Sequence, residues 1–142
     1  MSRTVRLNYL AILVSAIVYF IVAAGWFTLF QQQWLDGVGR TREWLMGPGG
    51  ISPVVQYGTA FVSALLIATA LSCVIQTTGE QTAARGVKAA VLLWVGFVFT
   101  TWATEYVFEA RTLQTLAINA GFPLVGMIVQ GAIIGAWKAK PA

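Results

Sequence analysis

The chain has 142 residues, 58% of them hydrophobic and only 10% charged, against about 25% charged in an ordinary soluble domain. A soluble fold of this length buries only about two-thirds of the surface that its unfolded chain exposes, so this much apolar surface excludes water as the main solvent and points to lipid. The formal charge of +4 comes from basic residues scattered at segment ends, which excludes a nucleic-acid partner read through a basic patch.

There is no histidine and a single cysteine, Cys73. The commonest metal ligand and the usual general base are therefore missing, no internal disulfide can form, and no cofactor or metal is expected. Cys73 lies in an apolar run and is expected to pack as a small hydrophobe.

A membrane helix needs roughly 20 predominantly apolar residues. Four stretches meet that length, 7–30, 53–76, 86–109 and 112–137. The expected fold is all-α, a single transmembrane domain built as a four-helix bundle. Strands are excluded because apolar character is continuous, and an open sheet edge cannot face lipid.

The first span, LNYLAILVSAIVYFIVAAGWFTLF, follows Arg3 and Arg6 as the core of a signal peptide does. Its apolar run outlasts the core of about 7–15 residues that such a peptide carries. It continues into Trp26, Phe27 and Phe30, so a retained helix is expected. Asn8, Ser15, Tyr19 and Trp26 share one face at helical spacing.

The loop 31–52 carries five glycines and Pro48, which argue against a continuous helix. It reads as a lipid-skimming loop in which Trp34–Leu35 and Trp44–Leu45–Met46 dip into the headgroups. The alternative is a lid over the mouth of the bundle.

The second span contains no charge, and Ala60, Ala64, Ala68 and Ser72 recur every four residues as a smooth stripe for close helix packing. In the third span Trp94, Val98, Thr101, Glu105 and Glu109 share a face. In the fourth, Thr115, Asn119, Gly126 and Gln130 do so with Pro123 nearby, and Gly131-Ala-Ile-Ile-Gly135 is a GxxxG pattern for packing within the bundle or in a homodimer. Pro123 is expected to kink its helix at Asn119.

The segment TWATEYVFEART, 101–112, brings charge into this apolar context. Glu109 and Arg111 fall at the hairpin between spans three and four, where they can pair at headgroup level. Glu105 is one turn deeper, roughly 6 Å by helix rise. A carboxylate in lipid is costly, so Glu105 is expected to face the bundle, with Arg111, Asn119 and Thr101 as partners. The cluster Thr101, Glu105, Glu109, Arg111 and Asn119 reads first as a polar clamp stapling two helices, and second as a candidate proton or cation site.

Orientation follows the bias of Lys and Arg toward the cytoplasm. Arg3, Arg6, Arg85, Lys88, Lys138 and Lys140 fall at one end, and Arg40, Arg42 and Arg111 at the other. Both termini are therefore expected inside.

The order Trp94-x-Gly96-Phe97, Phe108-Glu109-x-Arg111, Asn119-Ala-Gly121 and Gly131-Ala-Ile-Ile-Gly135-x-Trp137, with Asn8–Tyr9 at the start, resembles the small bacterial membrane proteins grouped as domain of unknown function 1761. The resemblance covers nearly the whole chain. It departs in the first loop, where Phe27 and Gln31–Gln33 stand in place of an aromatic pair and a Pro- and Gly-containing turn. It implies four membrane helices and no activity, and directs attention to Asn8, Trp94, Glu109, Arg111 and Asn119. The expectation is a non-enzymatic structural or accessory protein of a bacterial cytoplasmic membrane. It would sit in the lipid bilayer and pack with itself or with a larger complex. The alternative is a small oligomeric transporter or channel that titrates Glu105 or Glu109.

Overall fold

The computed structural model of the chain describes residues 4–47 and 50–141. The sequence readings made for Arg3 and Pro48 lie outside them. Helices run over Tyr9–Leu29 (α1), Gln31–Val38 (α2), Arg42–Met46 (α3), Pro53–Thr78 (α4), Ala83–Leu93 (α5), Thr100–Phe108 (α6) and Leu113–Ala136 (α7). A π-helical turn, Trp94–Phe99, joins α5 to α6 as one rod.

Four of these units are long and apolar enough to cross a membrane: α1, α4, the rod Ala83–Phe108, and α7. This is a multi-pass architecture. The helical segments lie within three residues of the four expected stretches at every boundary.

Helix starts follow from capping. Asn8, Thr82 and Thr112 each accept a hydrogen bond from a backbone N–H three residues on, satisfying a donor that the helix cannot use. Pro53 stands at the first turn of α4, where its missing N–H is harmless.

Helix α7 is the hub: it touches α1, α2, α4, α5, the π turn and α6. α7 runs antiparallel to α1 and to the rod Ala83–Phe108. At the terminal end, the Asn8 amide donates to the carbonyls of Trp137 and Lys138, both at 3.2 Å. Gln81 donates to the carbonyl of Ile134 at 2.6 Å. These side chains meet carbonyls that the last turn of α7 leaves unpaired. Near its far end, α1 meets the start of α7 through Trp26.

Lipid supplies no hydrophobic drive for helices to associate, so close approach must do so. A Cβ on Gly86 would overlap the carbonyl of Gly131, and one on Gly135 would overlap that of Thr82. The GxxxG pattern therefore packs α7 against α5 within the bundle. Ala64, Ala68 and Ser72 are buried with Ala16, Leu71, Ile75 and Ile134. Ala60 is exposed, because α4 leaves its neighbours toward its own start.

The first loop differs from the expectation. Its first half is helix α2, which begins one residue after α1 ends and lies across α7. Leu35 is buried beneath it, and Gly37 sits so close to Thr115 that any side chain would collide with the Thr115 hydroxyl. α2 is a cover on the bundle's far end.

Candidate functional site

Three indoles converge on one turn of α7. Trp26 of α1 donates its N–H to the carbonyl of Ile118 at 3.0 Å. Trp34 of α2 donates to Asn119 Oδ1 at 3.0 Å. Trp94 of the π turn donates to the carbonyl of Ala120 at 2.7 Å. The amide of Asn119 in turn donates to the Tyr106 hydroxyl on α6. Three successive residues of α7 thus bind four separate elements.

The backbone explains the location. Pro123 lies buried inside α7 and has no N–H, so the carbonyl of Asn119 loses its helical donor. This is where the helix is least able to hold itself. Carbonyls with a second lone pair can take a further donor, and Ile118 and Ala120 do. In a membrane such interhelical bonds are worth about 0.6–2 kcal/mol each.

The polar residues expected to cluster around Glu105 are divided by the structure. Asn119 is in the indole site. Glu109 and Arg111 form an ion pair across the α6–α7 turn, both about half exposed, and the Arg111 guanidinium lies 5.4 Å from the Tyr106 ring. Thr101 turns its hydroxyl back to the carbonyl of Phe97. Glu105 is exposed and does not face α7, so neither Asn119 nor Arg111 is its partner.

The π turn is the reason. A π turn takes in one more residue than an α turn, so the face begun by Gly86, Ala90, Trp94 and Val98 continues as Trp102 and Tyr106. In an unbroken α-helix it would continue as Thr101 and Glu105, the register the sequence suggested. Tyr106 is 3% exposed, which settles which residue points inward.

Ser15 and Gln130 are fully buried deeper in the bundle. Gln130 donates to the carbonyl of Ala64 at 3.0 Å, and its own Oε1 has no partner among the described residues. Among the described residues no three acidic or cysteine side chains come close enough together to hold a metal ion.

The family model for a protein of unknown function, DUF1761, matches residues 10–135. The chain belongs to the DUF1761 family. No curated protein and no solved structure matches it. Of the residues to which the DUF1761 resemblance drew attention, Trp94 and Asn119 stand in the indole site, Glu109 pairs with Arg111, and Asn8 joins the two ends of the chain. Trp34 was read from the sequence as dipping into the headgroups, and the hydrogen bonds of Trp26, Trp34 and Tyr106 to α7 were not anticipated.

Proposed function

We propose that this DUF1761 protein is a small non-enzymatic membrane protein that acts by docking against other transmembrane helices, those of its own copies or of a larger complex. The observation that carries this reading is an uneven cover. Helix α7 is 44% buried over its spanning window, whereas the rod Ala83–Phe108 is 11% buried. The open face of that rod carries Thr101, Thr104 and Glu105, and Glu105 makes no ion pair among the described residues. A carboxylate bare to hydrocarbon is costly, so a neighbouring protein surface accounts for it better than lipid does.

The Lys and Arg bias supports a cytoplasmic terminal end, in a bacterial cytoplasmic membrane. The test is purification in mild detergent followed by native mass spectrometry and cross-linking from cysteines placed on the rod. Oligomers or co-purifying membrane proteins are expected, with cross-links at 101–105. A monodisperse monomer without partners would refute the reading.

The same exposed Glu105 gives a second reading some support. If copies assemble with Glu105 between them, a proton or cation path would run along the interface and not through the bundle. Flux into liposomes that is abolished in Glu105→Gln would favour this reading, and flux unchanged in that variant would exclude it.

A further inference from the structure

Helices α1 and α4 pack tightly over half their length and then part. Ala64, Ala68 and Leu71 are buried, whereas every residue from Ile51 to Ala60 is exposed. Between the separated halves lies a cleft of about 360 Å³. Phe20, Phe27, Tyr57 and Ala60 form its apolar part, and Gln31 and Gln56 line it as well. The Phe20 and Tyr57 rings meet edge to face at 5.9 Å.

Among the described residues no charged side chain lines this cleft. A lipid phosphate would meet no cation there. A partner helix does not fit either, because a helix with its side chains is about 10–12 Å across and the volume is that of a small-molecule site, about 300–1,000 Å³. Thr28 spends its hydroxyl on the carbonyl of Ala24, while Gln31, Gln56 and Tyr57 can each donate as well as accept. Gln56 spends one amide hydrogen on the carbonyl of Ile51 and keeps the other, and Gln31 and the Tyr57 hydroxyl are exposed. Amide and phenol donors beside aromatic walls, in a slot flanked by spanning helices, complement a flat neutral ring with carbonyl acceptors and a hydrocarbon tail.

We propose that the α1–α4 cleft binds a membrane quinone, its ring between Phe27 and Tyr57 and its carbonyls on Gln31 and Gln56. This site is separate from the docking face on the rod and does not depend on it.

The experiment uses the full chain in phosphatidylcholine nanodiscs, titrated with a benzoquinone carrying a short isoprenoid tail. The readouts are quenching of tryptophan emission, Trp34 lying beside Phe27 with ring centroids 6.0 Å apart, and mapping with an azido derivative of the same quinone. Saturable quenching and labelling on α1 and α4 are expected. Ala60→Phe, which fills the cleft from an exposed position, should weaken binding roughly tenfold or more. Should that variant fail to fold, the double variant Gln31→Leu and Gln56→Leu carries the same expectation through loss of the donors. Non-saturable quenching, affinity unchanged in the variants, or equal competition by diacylglycerol would each overturn the proposal.

Discussion

The indole N–H of Trp34 donates to Oδ1 of Asn119 at 3.0 Å, tying the cover helix α2 to the one turn of α7 that Pro123 weakens. Asn119 also donates to Tyr106, so a single side chain joins α2, α6 and α7. Truncating it strands two partners. Asn119→Ala should destabilise the protein by about 1–3 kcal/mol, the cost of leaving a buried and a half-buried polar group unpaired. Unfolding in mixed micelles of mild detergent and dodecyl sulfate measures this, and Trp34 emission should shift to the red in the folded variant as α2 loosens. An unshifted spectrum with wild-type stability would show that the cover is held by other contacts.

The glycine contacts between α5 and α7 predict a sharp contrast. Gly131→Ala drives a methyl group into the backbone of Gly86, where nothing can rotate away. Overpacking of this kind costs typically about 1–3 kcal/mol, and a backbone obstacle places it at the upper end. Gly58→Ala, on a part of α4 where a Cβ meets nothing, should instead stabilise by up to about 1 kcal/mol through helix propensity. The same micelle titration reads both, and equal effects at the two sites would contradict the packing described.

The turn between α6 and α7 holds a correctable strain. Ala110 has φ +53°, in the left-handed region that an alanine enters at a cost. The Arg111 N–H bonds back to the carbonyl of Tyr106, the closure that usually carries glycine at this place. Ala110→Gly is expected to raise stability by about 0.5–1 kcal/mol, after allowing for the greater freedom of an unfolded glycine. A lower unfolding midpoint would show that the turn is not in this conformation.

How much of this was legible beforehand differs by element. Span positions follow from length and hydropathy, which lipid enforces directly, so 53–76 was expected where Pro53–Thr78 is found. Helix α2 was not legible, because Gln31–Gln33 and two glycines imitate a loop. Its fold rests on a tertiary contact, Gly37 against Thr115, that no local signal carries. The indole of Trp34 was read as dipping into the headgroups, since an amphipathic ring near a span's end looks the same whether its N–H meets water or another side chain. The face of α6 was misread for a geometric reason. Periodicity assumes a constant turn, and the single π turn at Trp94–Phe99 hands the inward place from Glu105 to Tyr106.

That π turn yields a test of its own. It carries one residue more than α geometry requires, so deleting Gly96, which is exposed, should let the segment close as α-helix with its flanks still in phase. In a Cys73→Ala background, Glu105→Cys should label with maleimide both with and without the deletion, and the deletion should cost no more than about 1–2 kcal/mol. Deleting Val125 from the regular part of α7 should prevent folding, because it rotates the indole site by a full residue relative to Gly131. Protection of position 105 upon Gly96 deletion would mean that the rod has no extra residue to lose.

Gln130 predicts a result opposite in sign to that of Asn119. It is fully buried and donates to the carbonyl of Ala64, but its Oε1 has no partner among the described residues. The Ala64 carbonyl lies inside α4 and has a helical donor of its own, so losing Gln130 does not strand it. Removing a half-satisfied polar group in favour of an apolar one of similar shape is nearly neutral or stabilising, whereas stranding a partner is costly. Gln130→Met should therefore lie within about 1 kcal/mol of wild type or exceed it. Gln130→Glu should destabilise strongly, because the buried site rejects an unpaired charge. Equal loss in both variants would show that the Gln130 amide bond to Ala64 is itself the main tie between α4 and α7.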